Sequence, residues 1–180
     1  PIKSSAASDV YKRQVTLNLD FSKVNPKQKL ALEDKHKYIG YGGARGGGKS
    51  WFVRIKAILL AVFYAGIKVL IVRQTYPELM NNHIREMRNI LYKIAKYVDK
   101  EKIFYFPNGS TIQFMYCRND TDLDRFQGTE FDVIFIDEAT HLTEYQIKTI
   151  GLCMRGANEF PKRIYFTTTV SYTHLTLPTT

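Results

Sequence analysis

The chain has 180 residues, 44% of them hydrophobic, a formal net charge of +9 at pH 7 and two cysteines. That length and apolar content exclude a disordered tail or a disulfide-stapled miniprotein and suit one domain with a sizeable core. The charge points to a polyanionic partner, nucleic acid first, and the most apolar segment, Ile55–Ala65, is too short and too charged at its start to span a membrane.

The two ends read differently from the middle. Residues 4–14 are SSAASDVYKRQ and residues 170–180 are VSYTHLTLPTT. One back-translation of the first, reverse-complemented, encodes Val170 through Thr179 residue for residue. Two unrelated polar tails do not agree over such a run. The string resembles a transposase-type sequencing adapter read through at both ends of a DNA fragment. We therefore expect residues 1–14 and 169–180 to be non-native, with 15–168 one native domain incomplete at its C-terminus.

Between those ends, Phe21–Lys35 is polar and helical after Pro26, a good first-turn residue. Tyr38–Tyr41 reads as a strand, and Gly42–Ser50 (GGARGGGKS) follows it. From Gly43 to Ser50 the spacing is G-x-x-x-x-G-K-S, the loop of the P-loop NTPases. Gly43, Ala44, Arg45, Gly46, Gly47 and Gly48 supply a backbone that can turn its N–H groups onto phosphate oxygens. The helix that follows, Lys49–Tyr64, points its positive end at the same anion. Lys49 can reach the β- and γ-phosphates and the Ser50 hydroxyl can ligate Mg²⁺. Arg45, inside the loop, can offset charge developing on the γ-phosphate.

Ile67–Val72 is a continuous apolar run, as in a strand covered on both faces. Arg73-Gln74-Thr75 ends it and can face the nucleotide. A helix begins near Pro77, with Ile84, Met87, Leu91, Ile94 and Val98 at helical spacing. Its basic residues Arg85, Arg88, Lys93 and Lys96 are candidate contacts to DNA phosphates. Ile103–Phe106 and Thr111–Tyr116 flank Pro107-Asn108-Gly109-Ser110, a hairpin signal. Asp120–Phe126 is a short polar turn or two of helix.

Asp132–Asp137 is another apolar strand, and it ends in Asp137-Glu138. Ligands of open α/β sheets gather at the carboxyl ends of strands. Asp137 there can hold the Mg²⁺ shell opposite Ser50, and Glu138 can polarise the attacking water. Thr143–Arg155 is helical with Thr143 as its cap, and Arg163–Thr167 is the last strand. Alternating strands and helices imply a mainly parallel sheet with helices on both faces. No N-K-x-D motif is present to read guanine, which favours ATP. Cys117 and Cys153 form no ligand cluster and are expected in the core of a protein from a reducing compartment.

GGARGGGKS, VRQTYPEL at 72–79, FQGTEFDVIFIDEAT at 126–140 and RIYFTT at 163–168 together resemble the ATPase domain of tailed-phage terminase large subunits. The likeness runs from about Asn25 to Thr168. It implies a RecA-like fold of the catalytic-glutamate class, with ATP and Mg²⁺ as ligands. It also implies hydrolysis coupled to translocation of double-stranded DNA into a procapsid, in the cytoplasm of the host cell. By the same resemblance the partners are double-stranded DNA, a homo-oligomeric ring on a capsid portal and a small terminase subunit, with no membrane. Glu138 takes the role of catalytic base, Lys49 and Ser50 the phosphate and Mg²⁺ roles, Arg45 that of the loop arginine and Asp137 that of Mg²⁺ ligand. Gln28 matches a glutamine that helps hold adenine. The family's coupling motif after the last strand falls where the adapter-like tail begins, and no nuclease domain is expected in this chain. Two rival readings share the same motifs: a helicase-like DNA-remodelling ATPase, and a nucleotide-binding fragment without motor activity.

Overall fold

The computed structural model of the chain describes residues 19, 21, 24–44, 46–156 and 158–169. Residues 1–14 and 170–180, expected to be non-native, lie outside the described residues, and so does Arg45. Thr169, placed in the second tail by its sequence, is described and ends a strand.

Seven strands form one sheet in the order β1-β7-β6-β2-β5-β4-β3. They are β1 (Tyr38–Gly43), β2 (Lys68–Arg73), β3 (Lys96–Val98), β4 (Ile103–Tyr105), β5 (Thr111–Tyr116), β6 (Val133–Ile136) and β7 (Arg163–Thr169). The five from β1 to β5 in that order run parallel. The last two, β4 and β3, are antiparallel, so the sheet is mixed at one edge. A chain with a tight hairpin loop at Pro107–Ser110 can only return antiparallel.

The helices are α1 (Pro26–Glu33), α2 (Lys49–Phe63), α3 (Tyr76–Leu79), α4 (Arg85–Ile90) and α5 (Glu144–Gly151). A π-helical turn (Met80–Ile84) joins α3 to α4, and 3₁₀ segments occupy Asp120–Phe126 and Ala139–His141. Period-two alternation splits the central strands between two cores. Val69 and Ile71 pack with Phe52, Ile58, Phe135 and Tyr165 under the α2 side, whereas Leu70 and Val72 pack with Ile134, Ile136, Phe126 and Ile150 under the α5 side. Helices thus cover both faces, as the run of apolar residues in β2 and β6 requires.

Local chemistry sets the boundaries. Asn25 accepts from the Gln28 N–H while Gln28 accepts from the Asn25 N–H, a reciprocal cap that starts α1 before Pro26. Thr143 and Gln146 do the same for α5. α2 ends at Tyr64, and the turn beyond it uses Gly66 at φ 82°. The β4–β5 hairpin docks its tip there: Asn108 donates to the Ala61 carbonyl at 2.8 Å and the Ser110 hydroxyl to that of Tyr64 at 2.7 Å.

The expected long helix through Val98 is shorter. It stops at Ile90, because Lys93 takes a left-handed φ of 64° and the chain turns back into β3. Ile94 and Val98 continue the apolar spacing, but Ile94 packs on the core from the turn and Val98 lies half-buried in the edge strand. Both cysteines are buried and free. Burial pushes the Cys117 thiol up to about 11. Cys117 should therefore resist iodoacetamide at pH 8 in the folded chain and react once denaturant is added. Peptide mapping checks this, and rapid native labelling of Cys117 would contradict its placement.

Candidate nucleotide-binding site

Strand register brings the candidate residues together. Val72 pairs with Ile136, and Ile136 with Phe166. One residue further on, Asp137 therefore emerges between Arg73 at the tip of β2 and Thr167 in β7. Tyr41 pairs with Thr167 and Gly43 with Thr169, which sets the start of the glycine loop beside the same strand ends. α2 rises from that loop with Lys49 and Ser50 in its first turn.

The loop is wound as an anion cradle. Gly46 and Gly48 have φ of 77° and 74°, which only glycine adopts without strain. A Cβ on Gly48 would lie 2.1 Å from Gln28 Nε2, so this turn also needs the missing side chain for space. Gly48, the N-cap of α2, has no side chain to cap the helix, and the first turn of α2 borders an open cavity of about 300 Å³. Lys49, Ser50, Trp51, Arg54, Glu138 and Thr169 contribute to its wall. Lys49 is buried and donates to the carbonyls of Gly43 (3.1 Å) and Ala44 (3.0 Å). Its ammonium thus already sits on the inner rim of the loop.

The Ser50 hydroxyl, on the cavity wall, donates to Oδ2 of the buried Asp137 at 3.4 Å. A hydroxyl and a carboxylate side by side are hard oxygen donors, the set that suits Mg²⁺ when phosphate oxygens complete the shell. No cluster of three or more His, Cys, Asp or Glu suited to a metal is present among the described residues. The pair therefore fits a metal that arrives with a nucleotide rather than a caged one.

Asp137 is almost fully buried and heavily bonded. His83 Nε2 lies 2.8 Å and Arg73 Nε 3.2 Å from its Oδ2, and the Thr167 hydroxyl donates to its Oδ1. Burial by itself pushes the carboxyl up. The hydrogen bond from His83, the Arg73 guanidinium and Thr167 outweigh it and hold the group well below the usual carboxylate range. Burial pushes the His83 imidazole toward its neutral form, so the permanently charged Arg73 is the counter-ion. Removing one partner of such a buried pair typically costs about 3–5 kcal/mol.

Glu138 carries an unusual backbone for a non-glycine residue, with φ 55° and ψ 53°. Its N–H donates to Thr167 Oγ1 at 3.0 Å. Its carboxylate accepts from the Thr169 N–H (3.0 Å) and hydroxyl (2.6 Å) and borders the cavity.

The structure thus brings Gly46, Gly47, Gly48, Lys49, Ser50, Asp137 and Glu138 to one end of the sheet. Gln28 stands apart from the cavity wall. Its carboxamide is engaged by the α1 cap and by the Gly48 carbonyl at 3.4 Å, which makes it a strut under the loop. Of Arg73-Gln74-Thr75, Arg73 turns inward to Asp137, Gln74 donates to the His141 carbonyl and Thr75 caps α3 with Glu78. Sequence reasoning missed His83, Arg54 and Thr169. A larger cavity of about 640 Å³ lies between α1 and β1, lined by residues such as Leu30, His36 and Tyr41, and the Tyr41 hydroxyl donates to the Gly47 carbonyl of the loop at 3.4 Å. No described helix is long and apolar enough to cross a membrane.

A family model described as terminase large subunit, T4likevirus-type, N-terminal, matches residues 41–178. No curated protein matches the chain. The large terminase of a thermophilic bacteriophage, in complex with ATP-gamma-S, is similar at TM-score 0.61 and 16% identity, over 79% of this chain and 37% of that one. The HK97 bacteriophage large terminase gives 0.62 and 18%, over 81% and 33%. The N-terminal domain of the DNA packaging ATPase from bacteriophage phi29 gives 0.56 and 19%, over 84% and 82%. The chain therefore spans well under half of the two large terminases, and these likenesses are of fold. With the family model covering most of the sequence, and a P-loop sheet carrying its paired acids at the tip of β6, the chain belongs to the terminase large subunit family, as its N-terminal ATPase domain.

Proposed function

We propose that this domain binds and hydrolyses ATP with Mg²⁺ and, in its parent protein, couples that hydrolysis to moving double-stranded DNA into a procapsid. The observation that carries the reading is one cavity of about 300 Å³ walled by Lys49, Ser50 and Glu138, with the Ser50 hydroxyl hydrogen-bonded to the buried Asp137. The ATP-gamma-S complex of the thermophilic phage terminase and the DNA-packaging role named for the phi29 relative support it.

The triphosphate enters the loop, where its charge meets the N–H groups of the α2 N-terminus. Lys49 leaves the Gly43 and Ala44 carbonyls for the β- and γ-phosphates. Arg45 approaches the γ-phosphate from the loop. Ser50 and Asp137 hold the Mg²⁺, which supplies neutralisation of phosphate charge when bound. Glu138 releases Thr169 and takes a proton from the attacking water. Gln28 acts on adenine through the loop it braces. DNA contacts fall on exposed basic residues, of which Arg85 and Arg88 share α4 and Lys93 and Lys96 follow it. In the whole protein, a homo-oligomeric ring on a portal, with a small terminase subunit, completes the machine inside the host cytoplasm.

Steady-state turnover with and without duplex DNA tests this. Duplex of unrelated sequences should stimulate hydrolysis alike, and the stimulation should fade as salt rises from about 50 to 200 mM, because phosphate contacts release counterions. Strand separation would instead favour a helicase. Nucleotide binding without turnover would mark this polypeptide as a binding fragment.

A further inference from the structure

His83 is fully buried on a segment that the phosphate loop does not touch in sequence, yet it reaches the carboxylate at the centre of the site. Burying an imidazole without need is costly, so its partner matters. Nε2 lies 2.8 Å from Asp137 Oδ2, whereas Nδ1 is buried with no partner among the described residues. The neutral ring with its proton on Nε2 satisfies both facts, since the donor meets the carboxylate and Nδ1 keeps only a lone pair.

The helix is built to make this contact. Between Met80 and Ile84 it widens to a π turn, with the Arg85 N–H reaching the Met80 carbonyl. Such turns insert one residue and redirect the side chains around it. A second thread leaves the same turn. The carbonyl of Asn82, next to His83, accepts from Arg54 Nη1, and Arg54 borders the phosphate cavity. The turn therefore touches the site twice, once at the carboxylate and once at the cavity wall.

We propose that His83 is a positioning residue for Asp137, fixing the carboxylate through Nε2–H so that Mg²⁺ recruitment at the site depends on the π turn between α3 and α4. The inference rests on the ATPase reading. Arg73 supplies charge to the same oxygen but comes from a strand end fixed in the sheet. His83 comes instead from the π turn between α3 and α4. The π turn is the point where the metal side of the site meets the exposed basic residues of α4.

The test uses the full 180-residue chain and a fluorescent ATP analogue, with Mg²⁺ titrated from an EDTA-buffered start. In His83→Ala, the Mg²⁺ concentration giving half-maximal binding should rise about tenfold or more, the usual scale for removing an outer-shell partner. Metal-free binding should stay within about twofold of the unsubstituted chain. His83→Gln, whose amide nitrogen can stand in for Nε2–H, should recover most of the shift. An unchanged midpoint in His83→Ala, or equal shifts in both variants, overturns the proposal. So does a loss that is the same with and without Mg²⁺, which marks a purely structural role. If neither variant folds, ¹⁵N-histidine NMR of the unsubstituted chain decides. The protected Nε2 resonance should move on adding Mg²⁺ with ADP and stay put with ADP in EDTA, and no difference overturns the proposal. A chain that binds no nucleotide at all defeats the ATPase reading as well, whereas Mg²⁺-dependent binding indifferent to His83 defeats this inference alone.

Discussion

Lys49→Ala should abolish ATP turnover and weaken nucleotide binding by about a hundredfold. The reasoning starts from where the ammonium sits. It is buried on the inner rim of the loop, held by the Gly43 and Ala44 carbonyls. A charge-assisted hydrogen bond contributes about 1.5–3 kcal/mol, and each 1.4 kcal/mol is tenfold in affinity. The side chain exchanges weak carbonyl contacts for a phosphate that carries full negative charge, so its loss falls mainly on the bound state. The fold should survive, because the loop carbonyls lie near solvent and can be hydrated. Calorimetric titration with ATP and a phosphate-release assay read the two effects separately. Turnover like that of the unsubstituted chain would remove the anion cradle from the mechanism.

Glu138→Gln should behave differently: binding kept, hydrolysis lost. General-base catalysis contributes about 10²–10⁴ in rate, and that is the expected fall in kcat. Glutamine keeps the volume and can still accept the Thr169 N–H through its amide oxygen, while its nitrogen faces the Thr169 hydroxyl. The site should keep its shape and lose only the group proposed to take a proton. A KM near that of the unsubstituted chain with this drop in kcat is the expected signature. An unchanged kcat would show that another group activates the water.

Much of this arrangement was legible because its signals are local. The glycine loop, its lysine and serine, and the acid pair after Val133–Ile136 each occupy a few consecutive residues, and the physics of the turn or strand end demands those types. The two buried cysteines, the helix start at Pro26 and the cap at Thr143 followed from equally short patterns. Contacts between distant residues were not legible. His83 lies 54 positions from Asp137, and one histidine in a helical pattern gives no sign of its partner. Only a π turn, which propensity and periodicity do not encode, aims it inward. The short β3 was hidden for a related reason. Ile94 and Val98 keep the helical spacing, so the break at Lys93 shows only in the backbone. Arg73 reads as a strand tip from its sequence alone, but its burial against Asp137 follows from the β2–β6 register, which depends on the whole sheet.

The left-handed backbone of Glu138 has a consequence for how such a domain responds to selection in the laboratory. An L-residue with a long side chain held there gives up roughly 1–2 kcal/mol that glycine would not. Glu138→Gly relieves that cost but gives up the carboxylate's hydrogen bonds to Thr169 and adds backbone entropy to the unfolded chain, so its melting temperature should shift little while turnover is lost. A library of this chain screened for heat resistance alone would therefore not remove inert molecules at that one position, so any thermostable version has to be sorted for turnover as well.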